Sequence, residues 1–307
     1  MNKAELTLII PFLNEGKEVY ETVKSFKQTA DVNIDVILIN DASNDGYNYK
    51  IIADEFSAVY IEHQIRQGVA VSRDEGVSVC KTMYFLILDA HMRVTQSNWA
   101  SSILNAIKSN DRTVICCCTV ALNENREFEC SFIGYGSSFD FSNLGINWIA
   151  KKMFDDESMI EIPCVLGASY ICSKNYWEYL KGLSGLIDYG LDEQLISLKV
   201  WLEGGSCHLL TGVTFGHLFR SGMEVPYSIK SVPFSYNKFL IAELFLEQNH
   251  KIQIYNSERN INGFEICNQA MDILINKKES IFYQKEYYKT IFTRDIHFLI
   301  NMNETFL

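Results

Sequence analysis

The chain has 307 residues, with 27 basic against 38 acidic side chains, a net charge of −11, and 48% hydrophobic residues. This is globular composition, which excludes a disordered, collagenous or coiled-coil chain. The acidic balance argues against general nucleic-acid binding, which relies on Lys and Arg against phosphates.

The length exceeds what one core usually fills, so a large domain with an appendage or a second lobe is expected. In chain order, residues 6–11 read as a strand and 15–29 as a helix with Val19, Val23 and Phe26 on one face. Residues 36–40 are a second apolar run, followed by a turn-rich stretch at 41–46. Next come a helix at 49–56, a strand at 58–61, a helix at 69–80 and a strand at 84–88 that ends at Asp89. A helix at 99–107 and a strand at 113–120 follow. Alternating strands and helices imply parallel β-structure with helical crossovers, an α/β sandwich, and the continuous apolar strands fit a sheet buried on both faces. Residues 122–160 lose this pattern and read as an irregular or antiparallel insert. A strand at 163–172, a short helix at 176–179, an amphipathic helix at 191–203 and a strand at 206–211 are expected next. Beyond Pro226 the chain reads as helical over 236–249, 261–276 and 280–301. The division predicted is 1–225 for the α/β domain and 226–307 for a helical C-terminal region.

Nine cysteines include the adjacent Cys116, Cys117 and Cys118, and no C-x-x-C pair occurs. Neighbours in a strand face opposite ways, so these read as buried, reduced thiols and not as a zinc cluster. Reduced thiols, no signal-peptide pattern and no apolar run of about 18 residues point to a soluble, cytoplasmic protein without a transmembrane span. The aromatic residues of the C-terminal helices read mainly as core, with an acceptor platform, a dimer surface or peripheral membrane contact as alternatives.

The strongest chemical signal is Asp89-Ala90-His91 at the end of the apolar run 86–88. Ligands of α/β sheets bind at the carboxyl ends of parallel strands. Asp89 and His91 face the same way in extended chain, and a carboxylate with an imidazole suits a divalent ion. The turn Asn40-Asp41-Ala42-Ser43 closes another strand and could present a carboxylate to a ribose or base; a plain Asx turn is the alternative. Arg66 and Arg73 suit phosphate or carboxylate contacts, or serve as surface charge. Asp192-Glu193 opens a helix, where acidic groups also act simply as caps.

These motifs taken together resemble the nucleotide-sugar-dependent glycosyltransferases of the GT-A fold. Ile9-Ile10-Pro11-Phe12-Leu13-Asn14-Glu15 and Asn40-Asp41-Ala42-Ser43 are similar to glycosyltransferase family 2. Arg66-Gln67-Gly68 through Gly76, Asp89-Ala90-His91, Asp192 through Gly205, Gly216-His217-Leu218-Phe219-Arg220 and Asn237–Glu243 look like the polypeptide N-acetylgalactosaminyltransferases. The resemblance covers roughly residues 5–245.

The resemblance implies a GT-A mixed, mostly parallel sheet flanked by helices, and a metal-dependent transfer of a hexose or N-acetylhexosamine from a UDP-sugar. Asp89, His91 and His217 would hold the metal, Mn²⁺ first and Mg²⁺ second. The nucleotide-sugar would contact Pro11, Asn14, Glu15, Asp41, Arg66, Arg73, Asp89, Ala90, Gly167 and Arg220. Glu193 would act as base and Asp192 in acceptor binding; the N-acetylgalactosaminyl enzymes carry Glu-Asn at this pair, so Glu193 favours inversion. The acceptor expected is a saccharide, lipid-linked or free, with a peptide or protein as the alternative. A non-catalytic nucleotide-sugar-binding protein and a nucleotidyltransferase are the rivals on the same architecture.

Overall fold

The computed structural model describes residues 3–149, 158–220 and 225–307, with 130–132 described by backbone alone. The apolar run at the start of the chain forms β1 (Leu6–Phe12), buried at every position. It leads into α1 (Lys17–Thr29), β2 (Ile34–Asn40), α2 (Lys50–Phe56), β3 (Val59–Glu62), α3 (Val69–Val79), β4 (Tyr84–Leu88) and the short β5 (Met92–Arg93). Then come α4 (Trp99–Lys108), β6 (Thr113–Leu122), β7 (Phe128–Gly134), the hairpin β8 (Ser137–Asp140) and β9 (Gly145–Trp148), β10 (Met159–Glu161) and β11 (Ser169–Ser173). The chain continues as α5 (Lys174–Tyr179), α6 (Asp192–Glu203), β12 (Ser206–His217), α7 (Ser231–Phe245), α8 (Gln248–Asn276), α9 (Lys278–Ile291) and α10 (Ile296–Glu304). Residues 150–157 of the expected insert lie outside the described residues.

The central sheet runs in the order β10-β12-β6-β11-β4-β1-β2-β3, with β5 on β12 and β7 on β6. Along that path β10 and β11 run antiparallel to their neighbours, while β3-β2-β1-β4 and β6-β12 are parallel. The period of two sends alternate residues to two cores. Leu8, Ile10 and Leu38 pack under α1, α2 and α4, while Ile9, Ile37 and Ile39 pack on the opposite face. The triplet of cysteines obeys the same rule, Cys116 and Cys118 on one face and Cys117 on the other. The eight cysteines with described side chains are buried and in no disulfide, and burial pushes the Cys116 thiol up to about 12. The C-terminal helices share the second face: Tyr236, Ile254, Tyr288 and Leu299 belong to the same core as Ile9. No helix among the described residues is long and apolar enough to cross a membrane.

Several expected elements differ. The strand at 163–172 shortens to β11, because Pro163 has no N–H to donate and Cys164 instead bridges Ser137. The strand at 206–211 runs on to His217 through a register shift between Leu210 and Thr214. Helix α6 is not amphipathic: all its residues except Glu193 are buried. Lys199 is satisfied by Gly182 O at 2.7 Å, and Glu203 by Arg112 and Tyr176. The helix at 236–249 starts earlier, at Ser231, and ends at Phe245. Helix α8 begins well before residue 261 and breaks at Gly263, where φ is 83°. The helix at 280–301 is two, because the Thr293 and Arg294 N–H groups turn to Leu202 O and Asp295 caps α10 through Phe298 N.

Candidate active site

The carboxyl ends of β1 and β4, the His217 end of β12 and the start of α6 converge on one cavity of about 370 Å³. Of the predicted residues, Pro11, Glu15, Asp41, Arg66, Arg73, Asp89, Ala90, His91, Gly167, Asp192, Glu193, His217 and Arg220 all line it. Asn14 stands behind it: its amide bonds Asn44 and Pro226 O, tying the end of β1 to the 41–46 turn and to the segment after residue 225.

Asp89, His91 and His217 form a cluster whose ligand atoms all lie within 4.8 Å of one another. His91 follows Asp89 in the turn into β5, and β5 pairs with β12 so that Met92 opposes His217. The two imidazole rings sit 4.8 Å apart, and His217 Nε2 is 3.4 Å from Asp89 Oδ2. His217 Nδ1 is buried without a hydrogen-bond partner among the described residues, an arrangement that suits a metal ligand better than a structural histidine. Burial lowers the His217 pKa, which keeps the ring neutral and able to donate a lone pair. Burial acts to raise Asp89, yet contact with His217 and the charge of Arg73 outweigh it and hold the carboxylate ionised. Glu15 stands behind the histidine, 3.3 Å from His91 Nδ1, and pairs with Arg220. One carboxylate and two imidazoles, with an acidic group orienting one ring, fit a divalent ion.

Arg73 is the hub of the floor. It is buried, pairs with Asp192, lies 3.1 Å from Asp89 Oδ1 and donates to Gly167 O at 3.3 Å. Asp192 is therefore held by Arg73. It is not a helix cap, since Leu191 occupies that position with no side-chain capping bond. Glu193, the other member of the pair, makes no ion pair within 4 Å among the described residues. A Cβ on Gly167 would lie 3.0 Å from the Glu193 carboxyl carbon, so a larger residue there would press on the carboxylate. Burial pushes the Glu193 pKa above the usual range, against the opposing charge of Arg73.

Asp41 is engaged by the protein itself. Its carboxylate accepts from Gln67 N at 2.7 Å and Gly68 N at 2.9 Å, and faces His63 Nδ1 at 2.7 Å. It thereby pins the loop that starts α3. Arg66 on that loop pairs with Asp188 and donates to Ser228 O at 3.0 Å.

Sequence reasoning missed the opposite wall. Ile146 and Trp148 come from the β8–β9 hairpin, Tyr189 from the loop before α6, and Phe219 and Tyr227 from the chain after β12. Trp148 meets Phe219 edge-on at 5.1 Å, and Phe219 meets His217 at 4.3 Å. His63 was missed as well. Phe219 lay inside a noted motif; the others carry no local signal, because distant segments bring them together.

Residues 7–155 match the family model described as glycosyl transferase family 2. Human polypeptide N-acetylgalactosaminyltransferase 14 is 24% identical over 225 residues, covering 70% of this chain and 40% of that protein. Polypeptide N-acetylgalactosaminyltransferase 3 of Taeniopygia guttata is 27% identical over 266 residues, covering 80% and 43%. The crystal structure of GalNAc-T7 with UDP, GalNAc and Mn²⁺ matches with a TM-score of 0.69 at 20% identity, over 86% of this chain and 52% of that one. The crystal structure of S. aureus TarS matches at 0.53 and 15% identity, over 83% and 43%. The chain spans less than half the length of these curated relatives. The chain has the fold of these solved structures, a GT-A mixed α/β sheet flanked by helices, and over residues 7–155 its sequence is similar to glycosyl transferase family 2.

Proposed function

We propose that this chain is a metal-dependent glycosyltransferase that moves a hexose or N-acetylhexosamine from a UDP-sugar to a saccharide hydroxyl. The observation that carries the reading is the meeting, in one cavity, of the Asp89, His91 and His217 cluster with a separate carboxylate, Glu193. The three ligands would hold Mn²⁺, or Mg²⁺, whose charge offsets that of the departing diphosphate. A diphosphate donor is supported by the UDP and Mn²⁺ named with the GalNAc-T7 structure.

Glu193 takes the acceptor proton. Its raised pKa makes it a better base than an exposed carboxylate, while Arg73 and Asp192 neutralise each other beside it. A base on the acceptor side supports inversion at the sugar carbon. The aromatic wall of Trp148 and Phe219 supports a saccharide acceptor, because flat aromatic faces pack on the apolar faces of sugar rings. A second reading, a polypeptide hydroxyl as acceptor, is favoured by the names of the relatives. The buried cysteine thiols, in no disulfide among the described residues, support a reducing, cytoplasmic setting.

The test is incubation with Mn²⁺ and a panel of UDP-sugars, with oligosaccharides in one arm and Ser/Thr peptides in the other, measuring UDP release. Acceptor-dependent release identifies the sugar and the acceptor class. UDP binding without release in any arm would reject transfer in favour of a nucleotide-sugar-binding role.

A further inference from the structure

The C-terminal helices supply none of the groups placed in the chemistry above, yet α7 reaches the loop from which α6 starts. Asn237 in α7 is completely buried and turns its whole amide to that loop. Its Oδ1 accepts from Ile187 N at 2.9 Å, and its Nδ2 faces Ile187 O at 2.9 Å, Tyr189 O at 3.2 Å and Gly190 O at 3.2 Å. One turn of the helix continues the grip. The Tyr236 hydroxyl donates to Gly185 O at 3.1 Å, and a Cβ on Gly190 would lie 2.6 Å from the Phe234 ring.

The loop needs such a grip. Asp188 has φ 55°, Gly190 91° and Leu191 69°, so two side-chain-bearing residues sit in the left-handed region within four positions. Such conformations persist where the surroundings over-determine them. The donor side holds the same loop: Val69 N donates to Asp188 O at 2.8 Å, and Arg66 pairs with the Asp188 carboxylate. The loop is thus fixed from both sides, by Asn237 and by the bridge between Gly68 and Asp188, and α6 with Glu193 follows directly.

We propose that Asn237 is a positioning residue for sugar transfer: from the C-terminal region it fixes residues 187–190, and through them the approach of Glu193 and Tyr189 to the acceptor. The inference rests on the reading of Glu193 as base. It adds a role for the C-terminal helices, which would otherwise serve only to cover the sheet.

The test uses the full chain with Asn237→Asp, which keeps the shape but replaces both amide donors by a charge among three carbonyl oxygens. Gly190→Ala disturbs the same loop without touching the amide, by placing a Cβ at φ 91° against the Phe234 ring. Glu258→Gln is the control. It weakens a buried α7–α8 cluster with Lys238 and Ser235, both at 2.7 Å, and touches nothing in the loop. In Asn237→Asp and Gly190→Ala, transfer kcat should fall by about tenfold to a hundredfold, the scale of misplacing a reacting group by about 1 Å. Affinity for UDP with Mn²⁺ should stay unchanged. Hydrogen exchange should quicken over residues 186–191 and not over 84–93. Glu258→Gln should lower the melting temperature while leaving kcat per folded molecule unaltered.

Loop exchange no faster than wild type overturns the proposal whether or not transfer is measurable. So does a kcat loss in Glu258→Gln matching that in Asn237→Asp, which would make α7 mere packing. Quickened exchange in a chain whose wild type releases no UDP would uphold the clamp and reject the transferase reading separately.

Discussion

The two walls of the cavity are built by different means. The wall proposed for the donor stands on the ends of β1, β2 and β4: β1 and β2 pair over their whole length, and Asp41 and Asp89 follow the strand ends with their N–H groups on Phe12 O and Ala168 O, both at 2.9 Å. The wall proposed for the acceptor stands on a hairpin, a left-handed loop and a strand with a register shift, and its side chains are fixed by contacts with distant segments. One wall is a property of the sheet; the other depends on what packs behind it. Function on the donor side should therefore respond to single ligand groups, and function on the acceptor side to shape and support.

The largest effect that would test this contrast lies where the walls meet the metal cluster. Asp89→Ala removes one ligand and one of the two carboxylates that pair with Arg73 among the described residues. Transfer should fall by about three orders of magnitude, the scale of losing a charge-stabilising group at a reaction centre. Chelation of the wild type should do the same, with recovery on adding Mn²⁺. Calorimetry of UDP binding with and without Mn²⁺ is the check, and metal-independent affinity in the wild type would remove the cluster from the site.

Glu193→Gln comes next and separates the walls cleanly. Transfer should drop by about two orders of magnitude, the worth of a general base, with UDP affinity kept. The sign with pH follows from burial. The carboxyl is raised above 4.5 and must be ionised to accept a proton, so transfer should decline on the acid side at a pH above that value. The variant should lose this limb. Its melting temperature at neutral pH should not fall, because a carboxyl with a raised folded-state pKa contributes less to stability as pH rises through that pKa. A fall of the kind expected for a lost cap would be a surprise, since Leu191 occupies the capping position.

How far the sequence could be read follows the same division. β1, β2, β4 and the Asp89-x-His91 pair were legible because an apolar run and a period of two fix where a strand ends and which way its last side chains face. His217 was legible only as part of a motif. The strand was expected to end at residue 211, and the shift between Leu210 and Thr214 that carries it to His217 has no local signature. Gly167 was legible only through the resemblance, as a nucleotide-sugar contact; the structure adds the Glu193 carboxyl carbon 3.0 Å from where a Cβ would be. Helix α6 looked amphipathic because Lys199 and Glu203 are charged. Both find partners in segments far along the chain, which no helical period reveals. Trp148 and Asn237 belong to the same class.

On the acceptor wall, Trp148→Ala should leave UDP binding and the metal untouched and raise the acceptor KM by about tenfold, from the loss of about 1.4 kcal/mol of aromatic packing. Steady-state kinetics at saturating donor reads this directly. A change confined to donor KM would place Trp148 on the other wall and undo the contrast.

The smallest effect is on the donor wall and concerns His63. The ring stands between two carboxylates, Nδ1 at 2.7 Å from Asp41 and Nε2 at 2.6 Å from Glu75. Burial favours the neutral ring, but the hydrogen bonds to these two acids outweigh it and raise the pKa above 6.5. A group whose folded-state pKa is raised stabilises fully below its unfolded value, and the contribution fades as pH rises through the folded one. Wild type should therefore exceed His63→Gln in stability most at about pH 6, with the gap closing towards alkaline pH. Its size should be no more than about 1 kcal/mol, because Glu75 is partly open to solvent and its share is screened. Thermal melts of both proteins across that range are the check, and a gap that does not change with pH would mean the ring is neutral and acts by packing. Since Asp41 also holds the Gln67 and Gly68 N–H groups, UDP affinity should weaken slightly over the same pH window in the wild type. The acceptor KM should not follow it, because the side chains that the His63 ring bonds, Asp41 and Glu75, stand on the side of the other wall. Parallel drift of both constants would mean that the loop at Asp188, which touches both walls, transmits the change.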